Sequence, residues 1–344
     1  MKFRITILVI LFIFISCKKE TPANAGRISN NGEIEPENWM HQTLLKYNNQ
    51  EISLTDLAVP GSHDAGMYVL NLCTFGANSC NTQTQFLPMK QQLEAGIRIF
   101  DLRPCKANGK YYVQHATSCD GLGCKGDLLS NIFTQTNNYL NTHAELVIMR
   151  FSHFCKTSYT DTNFMNLLTG TFGEKIYKET VISTIPFIQQ DLKNIIPVTK
   201  STGKVMLVFD EDVSNSAENK ANGLFSGSIL PTQGSWTNSH NFGDLKRRQL
   251  ENFSNYNNDG NSLFSFSWQV TQDELMAINC VINSNAPSIQ TNATIANNAL
   301  SSTIDTLIMN TQIKKGRIPN IIWVDYADEF ITKECIQLNK ISLE

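Results

Sequence analysis

The chain has 344 residues, 41% of them hydrophobic and 17% charged, with a formal net charge of −3 and an isoelectric point near 6.1. That composition belongs to a folded globular protein rather than a disordered one, and its slightly acidic balance argues against a nucleic-acid partner, which needs a basic face. The length admits two domains, or one α/β barrel with long loops.

Residues 1–17 carry Lys2 and Arg4, an apolar run over 5–15 broken only by Thr6, and then Ser16 and Cys17. The run is shorter than the ~20 residues that span a bilayer and has the charged start of a secretory signal. A small residue before cysteine at its end resembles the bacterial lipoprotein signal, with Cys17 as the lipidated first residue of the mature chain. The expectation is an exported, membrane-anchored protein. Residues 18–36, rich in Asn, Gly, Glu and Ser, read as a flexible tether, and 37–344 as a single catalytic domain that begins to fold near Trp39. With Cys17 set aside, eight cysteines remain, at 73, 80, 105, 119, 124, 155, 280 and 335. An even number in an exported chain favours disulfides. Cys73 and Cys80, and Cys119 and Cys124, are near enough in sequence to staple the loops after the first and third strands, although connectivity stays open. The pair 119/124 lacks the second knuckle and the histidines of a zinc site.

Strand-like runs follow at 57–59, 97–103, 111–115, 146–151, 205–209, 263–268 and 321–324, and the segment 229–239 is long enough to hold an eighth. Between them, Leu128, Leu129, Ile132, Phe133 and Leu140 follow helical spacing, as do Ile295, Leu300, Ile304, Leu307 and Ile308. Alternating strands and helices imply a parallel sheet. The expected fold is α/β, a distorted TIM-type (β/α)8 barrel. An open doubly wound sheet is the alternative, but it would show a glycine-rich phosphate turn, and the sequence has none. The Asn-rich piece 255–261 reads as a surface loop.

Several strands end in charge. The first runs into Pro60-Gly61-Ser62-His63-Asp64-Ala65-Gly66. The second, over 97–103, carries Asp101 and Arg103 on one face, and a turn at Asn108-Gly109 leads to the third, ending in His115. The last closes on Asp325. Charges at the ends of buried strands are costly unless paired or bound to a ligand. Two histidines can take one proton and deliver another near neutral pH, and the planar fork of Arg103 suits a phosphate. Singly, each residue has an ordinary structural explanation; together they point to a site.

The stretch from Pro60 to Gly66, then Gly96-Ile97-Arg98-Ile99-Phe100-Asp101-Leu102-Arg103, then His115, resembles the X-domain of bacterial phosphatidylinositol-specific phospholipase C. The resemblance implies a distorted TIM-type barrel and a phosphodiester lyase without a metal or other cofactor, releasing diacylglycerol and a cyclic inositol phosphate. It implies His63 as general base, oriented by Asp325, and His115 as general acid, assisted by Asp64. Arg103 would bind the phosphate while Asp101 holds the cluster. The calcium-dependent branch of the family has Asn after the first histidine and an acid in place of Arg103, so Asp64 and Arg103 point to the metal-free branch. The end of the fifth strand departs from the pattern, with Phe209-Asp210-Glu211-Asp212 where a basic residue is expected. By position, Arg150, His153, Asp210 and Trp268 are candidate substrate-binding residues. Trp236 is expected to be buried. The implied partner is a phospholipid at a membrane surface, and a monomer is the expected state. A metal-dependent phosphodiesterase and a non-catalytic headgroup-binding lipoprotein are the alternatives.

Overall fold

The computed structural model describes residues 33–344 apart from 182, 212, 235 and 284. The expected signal, the expected lipidation site at Cys17 and most of the expected tether lie outside the described residues. The chain packs from Ile34 onward, which lies against the interior core.

In chain order, helix α1 is Trp39–Lys46, followed by strand β1 (Val59–Ser62), helices α2 (Ser79–Thr82) and α3 (Met89–Glu94), and strands β2 (Ile99–Leu102), β3 (Pro104–Ala107), β4 (Lys110–Ala116) and β5 (Gly123–Leu128). Helix α4 (Leu129–Leu140), β6 (Leu146–Phe151), α5 (Thr162–Phe172), β7 (Lys204–Phe209), α6 (Ala217–Ala221), β8 (Leu224–Ser226) and β9 (Thr232–Gln233) come next. The chain ends with α7 (Phe242–Ser254), β10 (Leu263–Ser267), α8 (Glu274–Ile282), α9 (Ile289–Met309), β11 (Ile321–Val324) and α10 (Glu329–Leu343).

Eight strands form one parallel sheet in the order β8-β7-β6-β2-β1-β11-β10-β9. Read around, this is the chain order of a barrel opened between β8 and β9. A doubly wound sheet would instead reverse direction at a switch point. The fold is a distorted TIM barrel with its parallel strands curled as a half-barrel. The eighth strand expected within 229–239 is β9, while the short β8 carries too little periodic sequence to be read as a strand.

The third expected strand is corrected. Residues 111–115 do not enter the barrel. They lie in β4, the centre of a separate antiparallel sheet β3-β4-β5. Its hairpin turns at Asn108 and Gly109, both with positive φ, the backbone that a two-residue hairpin requires. The run that starts at 97 thus supplies two strands, β2 in the barrel and β3 in the hairpin, with Arg103 at the junction.

Apart from the short β8 and β9, the barrel strands are buried on both faces, and side chains alternate between two cores. Phe100, Met149, Phe151, Leu207, Phe209, Phe264, Phe266 and Trp268 pack outward against the helices. Val59, Ile99, Ile148, Met206, Val208, Leu263, Ile321 and Trp323 fill the interior. The N-terminal end is closed by α1, whose Trp39 is fully buried and donates from Nε1 to the Gly96 carbonyl at 2.8 Å. Beneath it, Arg98 Nε lies 2.7 Å from Glu145 Oε2, both side chains fully buried, and Glu145 accepts from the Met40 and His41 amides.

Among the described residues the disulfides are Cys73–Cys124, Cys80–Cys280 and Cys119–Cys155, with Cys105 and Cys335 free and buried. The short-range staples 73/80 and 119/124 do not form, because the antiparallel sheet folds back and sets Cys124 beside Cys73. These three bridges join segments that follow the ends of β1, β2, β6 and β10.

Candidate active site

The alternation that builds the interior core also builds the site. Positions 59, 61 and 63 share the inner register on β1; 99, 101 and 103 share it on β2; 321, 323 and 325 share it on β11. Each series is apolar inside the sheet and charged where it emerges. Gly61 is glycine because a Cβ there would stand 2.8 Å from the Trp323 ring. That close approach seats β1 on β11, and His63 donates from Nδ1 to Asp325 Oδ1 at 2.8 Å.

The turn after β1 is pinned from several sides. The His63 amide donates to Val324, the Ala65 amide to Asp101, Gln85 Nε2 to the His63 carbonyl and Thr84 Oγ1 to the Asp64 carbonyl. Asp64 is held at φ +44, a left-handed conformation uncommon for residues other than glycine. This turns its carboxylate inward, fully buried, to within 2.8 Å of Arg103 Nε. Arg103 Nη2 lies 3.3 Å from Asp101 Oδ2, and Ser152 Oγ donates to Asp101 Oδ1 at 3.2 Å. His115 comes from β4. Its Nδ1 lies 3.0 Å from the Thr82 carbonyl, which can only accept, so Nδ1 carries a proton and Nε2 faces Asp64 Oδ2 at 3.9 Å.

Burial opposes charge on His63, but Asp64 and Asp325 outweigh it and push its pKa up to about 9. Burial likewise works against the Asp101 carboxylate, yet Arg103 and His63 hold its pKa below the ordinary value. Arg103 Nη2 approaches His63 Nε2 to 2.9 Å, a hydrogen bond that requires Nε2 unprotonated. The geometry is therefore that of the basic form, and protonation would set two donors face to face. Replacing Asp64 by Asn should lower the His63 pKa by about one to three units, because an opposite charge at this range favours the imidazolium; an NMR titration of the His63 ring measures it. In linkage terms the raised pKa stabilises the fold fully below the unfolded value of 6.5 and loses that contribution as pH rises through about 9. The Asn variant should show less of this alkaline loss.

His63, Asp101, Arg103, His115 and Asp325 all line one cavity of about 600 Å3, and the buried Asp64 joins them through Arg103. Of the candidate substrate-binding residues, Arg150 and Asp210 line the same cavity, paired with Arg150 Nε 2.8 Å from Asp210 Oδ2. His153 is there too. Trp268 is not. Fully buried, it stacks on Phe266 with centroids 5.0 Å apart and donates from Nε1 to the Ala296 carbonyl. The reason is register: Phe264, Phe266 and Trp268 are an unbroken period-two apolar face turned toward the helices. Trp236, expected to be buried, is 54% exposed and lines the cavity. Sequence reading missed Thr82, Thr84, Gln85 and Ser152, polar residues at the end of α2, in the loop after it or beyond a strand end, whose roles depend on distant partners.

His63, Asp64 and Asp101 also offer three ligand atoms within 4.8 Å of one another, a geometry that could hold a metal ion. Arg103 directs its guanidinium at these same carboxylates.

No family model matches the chain. It is 28% identical over 175 residues to the zebrafish (Danio rerio) PI-PLC X domain-containing protein 3, covering 42% of this chain and 50% of that one. To the human PI-PLC X domain-containing protein 2 it is 26% identical over 178 residues, covering 44% and 55%. The chain thus spans about half the length of the curated relatives it matches. Among solved structures, the phosphatidylinositol-specific phospholipase C from Listeria monocytogenes superposes with a TM-score of 0.62 at 20% identity, covering 89% of this chain and 99% of that one. The Staphylococcus aureus enzyme gives 0.60 at 17%, covering 89% and 98%. At these identities the likeness speaks for the fold. The barrel, with its charged strand ends at the mouth, has the PI-PLC X-domain fold of the PLC-like phosphodiesterases.

Proposed function

We propose that the protein is a phosphodiesterase that cleaves phosphatidylinositol or a glycosylated relative by transfer to a neighbouring hydroxyl, releasing diacylglycerol and a cyclic inositol phosphate. The observation that carries the reading is the pair of imidazoles, His63 and His115, on either side of Arg103 and Asp64. In its basic form, which becomes the major one as pH rises through about 9, His63 Nε2 accepts the proton of the inositol 2-hydroxyl, and that oxygen forms the new bond to phosphorus. As the bond from phosphorus to the glycerol oxygen breaks, His115 Nε2 delivers a proton to the leaving oxygen. Arg103 holds the equatorial charge with its fork. Asp325 keeps His63 in the tautomer whose Nε2 is unprotonated, and Asp64 supports both His115 and Arg103.

An apolar rim supports a substrate in a lipid surface. Leu275, Ile278 and Ile282 lie exposed on α8, Phe75 is 99% exposed, and a Cβ at the neighbouring Gly76 would stand 3.4 Å from Val281 of α8. The Cys80–Cys280 bridge ties α8 to α2, whose Asn81 and Thr82 line the cavity. Exposed apolar surface of this kind marks an interaction site. One of the solved relatives is described by the modulation of its membrane binding. The proposed lipid on Cys17 would keep the protein at a membrane that carries such a substrate.

The test is release of water-soluble inositol phosphate from phosphatidylinositol vesicles, with and without chelator. Chelator-resistant release is expected. Release that stops with chelator would instead favour a cation at His63, Asp64 and Asp101, and no release with the folded protein would sink the lyase reading.

A further inference from the structure

One short segment touches both histidines. Residues 82–85 begin at the end of α2, and Thr82, Thr84 and Gln85 are all buried. The Thr82 carbonyl accepts from His115 Nδ1 at 3.0 Å. Three residues on, Gln85 Nε2 donates to the His63 carbonyl at 2.7 Å, while its Oε1 accepts from the Ala327 amide at 2.9 Å. Between them the segment is held by Tyr326, whose amide donates to the Thr84 carbonyl at 2.7 Å and whose hydroxyl donates to the Gln83 carbonyl at 2.8 Å.

These bonds replace part of the sheet. Strands β1 and β11 pair in parallel up to Ser62 and Val324, and the His63 amide adds one more bond, to the Val324 carbonyl. In this register the next rung would run from the Tyr326 amide to the His63 carbonyl. It does not form, because Tyr326 turns to φ +53, a conformation uncommon outside glycine, and gives its amide to Thr84. The ladder therefore stops at the two residues that make the His63–Asp325 pair. The His63 carbonyl and the Ala327 amide would be left without partners inside the protein, which is costly. Gln85, fully buried, joins them through one side chain.

We propose that residues 82–85 are a positioning strap that fixes the general base and the general acid relative to each other, with Gln85 as the positioning residue for His63 and Tyr326 as the residue that holds the strap in place. The assignment rests on the acid–base reading above and adds what keeps that pair in register. Through Gln85 the strap holds His63 Nδ1 against Asp325. Through the Thr82 carbonyl it keeps a proton on His115 Nδ1 and leaves Nε2 toward Asp64. Neither Gln85 nor Tyr326 lines the cavity, so their loss should lower kcat and spare KM.

Vesicle kinetics and an NMR titration of the imidazole nitrogens, both on the full chain, test the strap. Gln85→Met should lower kcat about 10- to 100-fold, the cost of displacing a catalytic group by up to about 1 Å, with KM within about 3-fold. It should also bring the His63 pKa down by about one unit as Asp325 draws away, while Asp64, Asp101 and Arg103 still face the ring. Tyr326→Phe removes one hydroxyl from a ring that keeps its edge contact with Phe86, centroids 4.6 Å apart, so it should keep the thermal midpoint and carries the test should Gln85→Met not fold. It should lower kcat about 10-fold and move the ring signals of both His63 and His115. A lower thermal midpoint with kcat and both rings unmoved would make the segment structural and overturn the strap. So would a raised KM with kcat unchanged. If the unmodified protein releases no inositol phosphate the lyase reading falls, and the ring signals then decide the strap by themselves.

Discussion

His63→Ala and His115→Ala should each reduce kcat/KM on phosphatidylinositol vesicles by about 10²- to 10⁴-fold, the usual contribution of a positioned acid or base. The two imidazoles sit at different ends of one proton path, so the double variant should be little worse than the poorer single one. His115 makes one modest bond, to the Thr82 carbonyl at 3.0 Å, and its loss should cost only about 1 kcal/mol of stability. His63 is different. It stands among Asp64, Asp101 and Asp325, and removing it takes away a cation that these three carboxylates share, so a larger fall in thermal midpoint is expected, greater at neutral pH than at pH 10 where the ring is already uncharged. Turnover that survives either substitution would make the histidines structural and remove the proposed mechanism.

Arg103→Met should be the most damaging single change, for both activity and stability. The Asp64 side chain is fully buried, and Arg103 Nε, at 2.8 Å, is its nearest cation. Removing one partner of a buried pair leaves an uncompensated charge and costs about 3–5 kcal/mol. The double variant Arg103→Met with Asp64→Asn should regain much of that stability, because the orphaned charge is gone, and none of the turnover, because nothing is left to hold the phosphate. Arg103→Lys should keep the fold and still turn over slowly, since a point charge cannot reproduce a planar fork. Chemical denaturation and vesicle turnover on the three proteins separate the two roles. A double variant that recovers activity would show that Arg103 serves only to neutralise Asp64.

Much of this was legible in the chain itself, for a local reason. A strand turns alternate side chains to opposite faces, so an apolar run that ends on a charge in the inner register announces both a barrel strand and a site residue. His63, Asp101, Arg103 and Asp325 were readable in this way, as were Arg150 and Asp210. The same rule read more strictly would have placed Trp268 with Phe264 and Phe266 on the helix side. The Asn108-Gly109 turn was equally local, since its positive φ values suit those two residues.

What the tertiary structure decided is whatever depends on two distant segments meeting. His115 reaches the site from an antiparallel sheet laid beside the barrel mouth, and nothing in 111–115 distinguishes that from a barrel strand. Cys73 found Cys124 and Cys80 found Cys280, across 51 and 200 residues, because disulfides follow spatial proximity and not spacing in the chain. Trp236 is exposed at the cavity because Thr271 holds its edge. His63 is a strong base because the neighbouring Asp64 is turned inward beside it and Asp325 arrives from 262 residues away. Periodicity is written into neighbouring residues, so the sequence determined which side chains point inward at each strand end. A pKa, a disulfide and a ligand wall arise between strands, and only the closing of the sheet decided which of those side chains would face one another.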